Sequence, residues 1–171
     1  MPFQNTVNMY PAAGVAGDQA GLNPVAYLLP VPVAGEGGVI TGRACWYDPD
    51  NTPGRVLNST EGTTTGEGEQ AVTTYEAPLG IAQRVMTGVI PCNEGATVTI
   101  LEGHSVAVVT RGDLLVTSAA AVTAGQKVFA SVTDGSLTGA AAGATVEGSV
   151  ETGWTIRESA AAGDIFHISN W

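Results

Sequence analysis

Few side chains in this sequence could do covalent chemistry, and their spacing limits what each can do. His104-Ser105 places a base beside a hydroxyl. A catalytic nucleophile needs its base within hydrogen-bond reach and a third group that orients the base. Neighbours on an extended chain point to opposite faces, so these two cannot serve each other. Gly103-His104-Ser105 also lacks the Gly-x-Ser-x-Gly form of a nucleophile elbow, and the pair reads as a surface turn. His104, His167, Cys45 and Cys92 are spaced too widely to match any zinc module. Asp48, Asp50 and Asn51 resemble the opening of a calcium loop. Pro49 and Pro53 break that pattern, and no glutamate stands at the closing offset, so turn chemistry accounts for it. Gly35-Glu36-Gly37-Gly38 lacks the Lys and Ser/Thr of a phosphate cradle and carries an acid that would repel phosphate. Trp46, Trp154 and Trp171 read as core or interface anchors. The sequence therefore predicts a protein that is not an enzyme, with no catalytic residues, no cofactor and no metal.

Composition narrows the class. The 171 residues suit one domain with an appended arm. Apolar residues make up 44% but aromatics only 6%, so the core must be built mostly from Ala and Val. Charged residues are 13%, too few for a long exposed helix, which normally carries many Lys and Glu. The net charge is −10, and Lys127 is the sole lysine. Arg43, Arg55, Arg84, Arg111 and Arg157 are scattered, so neither nucleic acid nor an anionic membrane is an expected partner. Met1-Pro2-Phe3-Gln4-Asn5 is not the start of a signal peptide, and no apolar run is long enough to span a bilayer. Cys45 and Cys92 are expected to be reduced, half-buried thiols.

The elements that must carry any function are strands. All nine prolines lie between Pro2 and Pro91. Residues 1–38 read as an extended N-terminal arm, because Pro11, Pro24, Pro30 and Pro32 forbid a regular helix. The arm carries apolar residues, among them Val25, Tyr27, Leu28 and Leu29. It either lies on another surface or forms an edge strand of its own domain, and both can hold. Residues 39–171 read as a small β-barrel or β-sandwich. Val39 to Tyr47 reads as one strand, closed by the turn cluster Asp48 to Gly54. Ser59 to Gln70 lacks apolar residues and reads as a mobile exposed loop. Short strands follow at Leu79–Met86, Thr97–Leu101, Ser105–Thr110, Leu114–Thr117, Lys127–Val132, Glu151–Arg157 and Ile165–Ile168, punctuated by Gly-Asp and Gly-Gln. Ala119–Ala124 and Ala140–Ala144 are too short for helices and read as loops. Gly80 and Gly153 sit inside strands, where glycine marks a bulge or close backbone approach.

Several of these segments resemble the capsid cement, or head decoration, proteins of tailed bacteriophages. They are Gly80-Ile81-Ala82, Gly112 to Val116, Ala124 to Ala130, and Glu151 to Ile168, with Gly163-Asp164 opening the final strand. Pro24 to Val33 and Gly42 to Pro49 resemble the arm and first hairpin of the same group. The resemblance implies an all-β virion protein on the outer surface of the capsid, made in the host cytoplasm. Such proteins clamp neighbouring major capsid protein subunits and self-associate as dimers or trimers. The residues expected at protein interfaces are Tyr10, Val25, Tyr27, Leu28, Leu29 and Trp171. Two other readings remain open: a tail or baseplate protein, and a carbohydrate-binding module stacking sugars on Trp46 and Tyr47.

Overall fold

The computed structural model describes residues 14–50, 54–65, 72–85 and 99–171. These residues form strands and turns and contain no helix, as the sequence predicts. Tyr10 and Cys92 lie outside the described residues.

Two principal sheets make the body. The first contains β1 (Ala26–Tyr27), β2 (Val33–Ala34), β4 (Ala44–Tyr47), β5 (Arg55–Leu57), β8 (Gly80–Ala82) and β10 (Val108–Arg111), in the order β1-β10-β8-β4-β5-β2. The second contains β11 (Asp113–Thr117), β12 (Lys127–Ser131), β13 (Leu137–Ala140), β14 (Ser149–Ile156) and β15 (Ile165–Ser169), in the order β11-β15-β14-β12-β13. A small pair, β3 (Val39–Ile40) with β9 (Thr99–Ile100), and a hairpin, β6 (Thr63–Thr65) with β7 (Val72–Thr74), complete the described fold. In the second sheet the edges meet at one bridge, Ser118 beside β11 to Leu137 in β13; in the first, Val33 of β2 bridges to Ser105 on the segment before β10, and β1 stays an edge strand. Neither closes as a hydrogen-bonded barrel.

The period-two alternation of strands sorts side chains into two cores. In β4, Ala44 and Trp46 enter the larger cluster while Cys45 enters the smaller one. Ile81 and Ala82 divide in the same way, as do Val109 and Val108. The first sheet is thus buried on both faces, which explains why its strands read as unbroken apolar runs. The larger cluster also takes Leu114, Val116, Val128, Trp154, Ile156, Phe166 and Ile168 of the second sheet, so the two sheets share one core.

Three segments differ from the sequence reading. Val39 to Tyr47 is two strands, because the chain turns at Gly42 (φ +75°), whose Cβ would lie 2.8 Å from Ala16 Cβ. The Ser59–Gln70 segment, read as a loop, contributes Thr63–Thr65 to an exposed hairpin, because a run of β-branched residues pairs well without burial. Leu137–Ala140 is a strand on the edge of the second sheet, anchored by the buried Leu137.

Gly80 fulfils the expectation of close backbone approach: a Cβ there would collide with the Val109 carbonyl of the neighbouring strand. Gly80→Ala is therefore expected to lower stability by about 2–3 kcal/mol through forced separation of β8 from β10. Urea unfolding followed by tryptophan fluorescence checks this, and an unchanged midpoint would contradict it.

Candidate protein interface

The amino-terminal segment builds the exposed surface, and hydrogen bonding determines how. Residues 17–34 run antiparallel to residues 104–115, the stretch that passes from β10 through Gly112 into β11. Gly17 N donates to Leu115 O at 2.8 Å, Leu115 N to Asp18 O at 2.9 Å, and Ala20 N to Asp113 O at 3.0 Å. Ala26 and Tyr27 pair with Arg111 and Val109. Leu28 N donates to Val108 O at 2.9 Å, Val106 N to Pro32 O at 2.8 Å, and Ala34 N to His104 O at 2.8 Å. The segment is a strap that covers one edge of each principal sheet.

The ladder breaks twice, around Pro24 and around Pro30. Proline has no N–H to donate, so the strap lifts away there and turns its neighbours outward. The consequence is visible in exposure: Leu22 is fully exposed, Leu29 is 76% exposed and Val31 is 52% exposed. Between the gaps, Tyr27 is 43% exposed on the edge strand β1.

Of the interface residues predicted from sequence, Tyr27, Leu29 and Trp171 are exposed. Val25 and Leu28 are half-buried, packed against the larger and smaller core respectively. Trp171 reaches the neighbourhood of β1 through Arg111, the pairing partner of Ala26. The Trp171 ring lies 5.1 Å from the Arg111 guanidinium, a cation–π contact. Asn170 Nδ2 donates to Thr110 O at 3.0 Å, and the Thr110 hydroxyl donates to Ala26 O at 3.1 Å. Sequence reasoning missed Leu22, Val31 and Arg111. The prolines beside Leu22 and Val31 were the available signal; nothing in the sequence marked Arg111.

One carboxylate fastens the strap. Asp113 is buried, and its main chain already pairs with Ala20. Its side chain accepts a short hydrogen bond from Asn23 Nδ2 of the strap. His167 Nε2 of β15 stands 3.4 Å from Asp113 Oδ1 with no hydrogen bond of its own, so the contact is an ion pair only when the imidazole is protonated. Burial opposes ionisation of Asp113, but the side chains of Ser169, Asn23 and His167 outweigh it and hold the carboxyl below the usual carboxylate range.

The other candidates settle into structural roles. His104 and Ser105 are exposed, His104 in a bend and Ser105 at the bridge to Val33, and Asp48 Oδ1 accepts the Asp50 amide at 3.0 Å within its own turn. Among the described residues, no three metal-ligating side chains cluster. Burial pushes the Cys45 thiol up to about 12, against a smaller opposing hydrogen bond with Ala82, and so keeps it protonated. A cleft of ≈390 Å³ lies where Val15, Ile40, Arg43 and Leu137 meet, but its guanidinium is already paired with Asp134 at 2.9 Å. Trp46 is 2% exposed and its Nε1 donates to Glu76 O at 2.9 Å, so it offers no stacking face for a sugar.

The described residues thus form a strand-built body with an exposed apolar strap. The family described as "Structural cement protein (E217 gp24/Pam3 gp6)" matches residues 3–170, and the chain belongs to this phage family. A solved structure titled "The capsid of Myoviridae Phage XM1" shares the fold at a TM-score of 0.61 and 22% identity, over 99% of this chain and 98% of that one. No curated protein matches the sequence.

Because the Asp113 carboxyl is held low, its contribution to stability is complete above the unfolded-state value of about 3.9 and is lost as the pH falls through the lower folded value. Asp113→Asn should cost about 2 kcal/mol at pH 7 by removing charge-assisted hydrogen bonds to Asn23 and Ser169. It should also flatten the loss of stability as the pH falls below about 4. Urea midpoints at several pH values test this; parallel curves for variant and parent would refute the fastening role.

Proposed function

We propose that this protein is a capsid cement: it binds the outer face of a phage head and staples neighbouring major capsid protein subunits together. The match to the structural cement family across residues 3–170 carries the reading. The surface supports it. Monomeric proteins rarely present large apolar side chains together, and Leu22, Tyr27, Leu29, Val31 and Trp171 are all exposed here. Such side chains, spaced along a strap held to a rigid body, suit a partner surface rather than a small-molecule pocket. Self-association as a dimer or trimer would multiply these contacts and lengthen residence on the shell. The net charge of −10 would keep a densely decorated particle soluble.

The arm divides into two parts under this reading. Residues 17–34 belong to the body through the ladder, whereas the segment up to residue 13, with Tyr10, is assigned to the neighbouring capsid subunit. Heads assembled without this protein are expected to release DNA at a lower temperature, and adding it back should restore the threshold. A difference map from electron microscopy should place it on the outer shell, bridging subunits. Deleting residues 1–13 should weaken retention on heads while leaving the urea midpoint unchanged. Density on the tail with none on the head would overturn the proposal.

A further inference from the structure

The cations of this acidic chain are distributed unevenly. Arg43, Arg55 and Arg84 pair with Asp134, Glu102 and Asp18 at 2.9, 3.5 and 3.1 Å. Lys127 is part-buried in the second sheet, its Nζ 3.2 Å from the Thr155 hydroxyl. Arg111 and Arg157 are exposed, and among the described residues neither forms an ion pair with a side-chain carboxylate. Both sit against Trp171: Arg111 lies over its ring, and Arg157 Nη2 donates to its terminal carboxylate oxygen at 2.9 Å. In a chain with 16 acids, two exposed guanidiniums beside one 53%-exposed indole outweigh the single terminal carboxylate between them and make a local positive spot.

That spot borders β1, an edge strand of the first sheet among the described residues. β1 ends the first sheet, hydrogen-bonded to β10 on one side, with Ala26 and Tyr27 exposed. Arg111 stands directly across from Ala26, and the Asn170–Thr110–Ala26 hydrogen bonds hold Trp171 beside the strand. A free strand edge is a template for an added strand, whose alternate side chains can be read by neighbouring pockets and charges.

We propose that the β1 edge, Arg111, Arg157 and Trp171 form a docking site for an extended, acidic segment of the shell protein. The segment would pair along β1, rest an apolar side chain on Trp171 and Tyr27, and place a carboxylate between the two guanidiniums. Charge complementarity selects an acidic occupant, and a two-fold self-contact centred on the patch would bring cations toward cations. The inference rests on the cement reading and names the chemistry of its partner.

Binding of the full-length protein to heads stripped of it, measured at low and high salt, tests the site. The variants are R111E/R157E, the milder R111Q/R157Q, and W171A, with R55E as control; unchanged urea midpoints show that each is folded. The parent should bind. R111E/R157E should bind at least about tenfold more weakly at low salt, with R111Q/R157Q in between. The difference should shrink at about 0.5 M salt, where charges are screened. W171A should weaken binding at both salts, and R55E should match the parent. Parent and both arginine variants binding equally would overturn this site while leaving the cement reading standing. A parent that does not bind stripped heads would overturn both. Sedimentation showing that the arginine variants lose self-association would place the patch between copies and overturn the assigned partner.

Discussion

The structure depends on one ladder: the antiparallel pairing of residues 17–34 with residues 104–115. The second of these segments crosses from the first sheet into the second, so its outer side would otherwise be a long unpaired edge along both. Exposed edges invite pairing with other chains, and each buried but unmade backbone hydrogen bond costs about 1–3 kcal/mol. The strap satisfies those groups and joins the sheets. The same segment carries Pro24 and Pro30, which cannot donate, and the pairing is interrupted around both. Closure of the body and outward display of Leu22, Leu29 and Val31 are therefore two results of one sequence pattern.

Small residues make the layered core possible. With the first sheet buried on both faces, its strands must approach closely, and Gly80, Ala44 and Ala82 allow it. The larger side chains, Trp46, Trp154, Phe129 and Phe166, are buried at a few points. Titratable groups in this body serve packing: Cys45 is kept neutral by burial, and Asp113 is spent on holding the strap. Membership of the structural cement family gives this body a structural role.

The all-β class, the short strands from Lys127 onward and the close approach at Gly80 were legible in the sequence, because strand periodicity and glycine placement act locally. The double burial of β4, β8 and β10 was not, since a continuous apolar run does not say what covers each face. Thr63–Thr65 was hidden because polar β-branched residues in an exposed hairpin carry no burial pattern. At the interface, Tyr27, Leu29 and Trp171 were legible as apolar residues with no evident core to join. Val25 and Leu28 looked alike in sequence, yet the ladder turns them inward. Arg111 gained meaning only once long-range pairing set it opposite Ala26 and beneath Trp171.

Hydrogen exchange on the isolated protein measures the ladder most directly. The amides of Gly17, Ala20, Leu28 and Ala34 should exchange as slowly as those in the middle of β12 and β15, while those of Leu22 and Val31, beside the proline gaps, should exchange fast. Rapid exchange along the whole strap, with the two sheets still protected, would contradict the account.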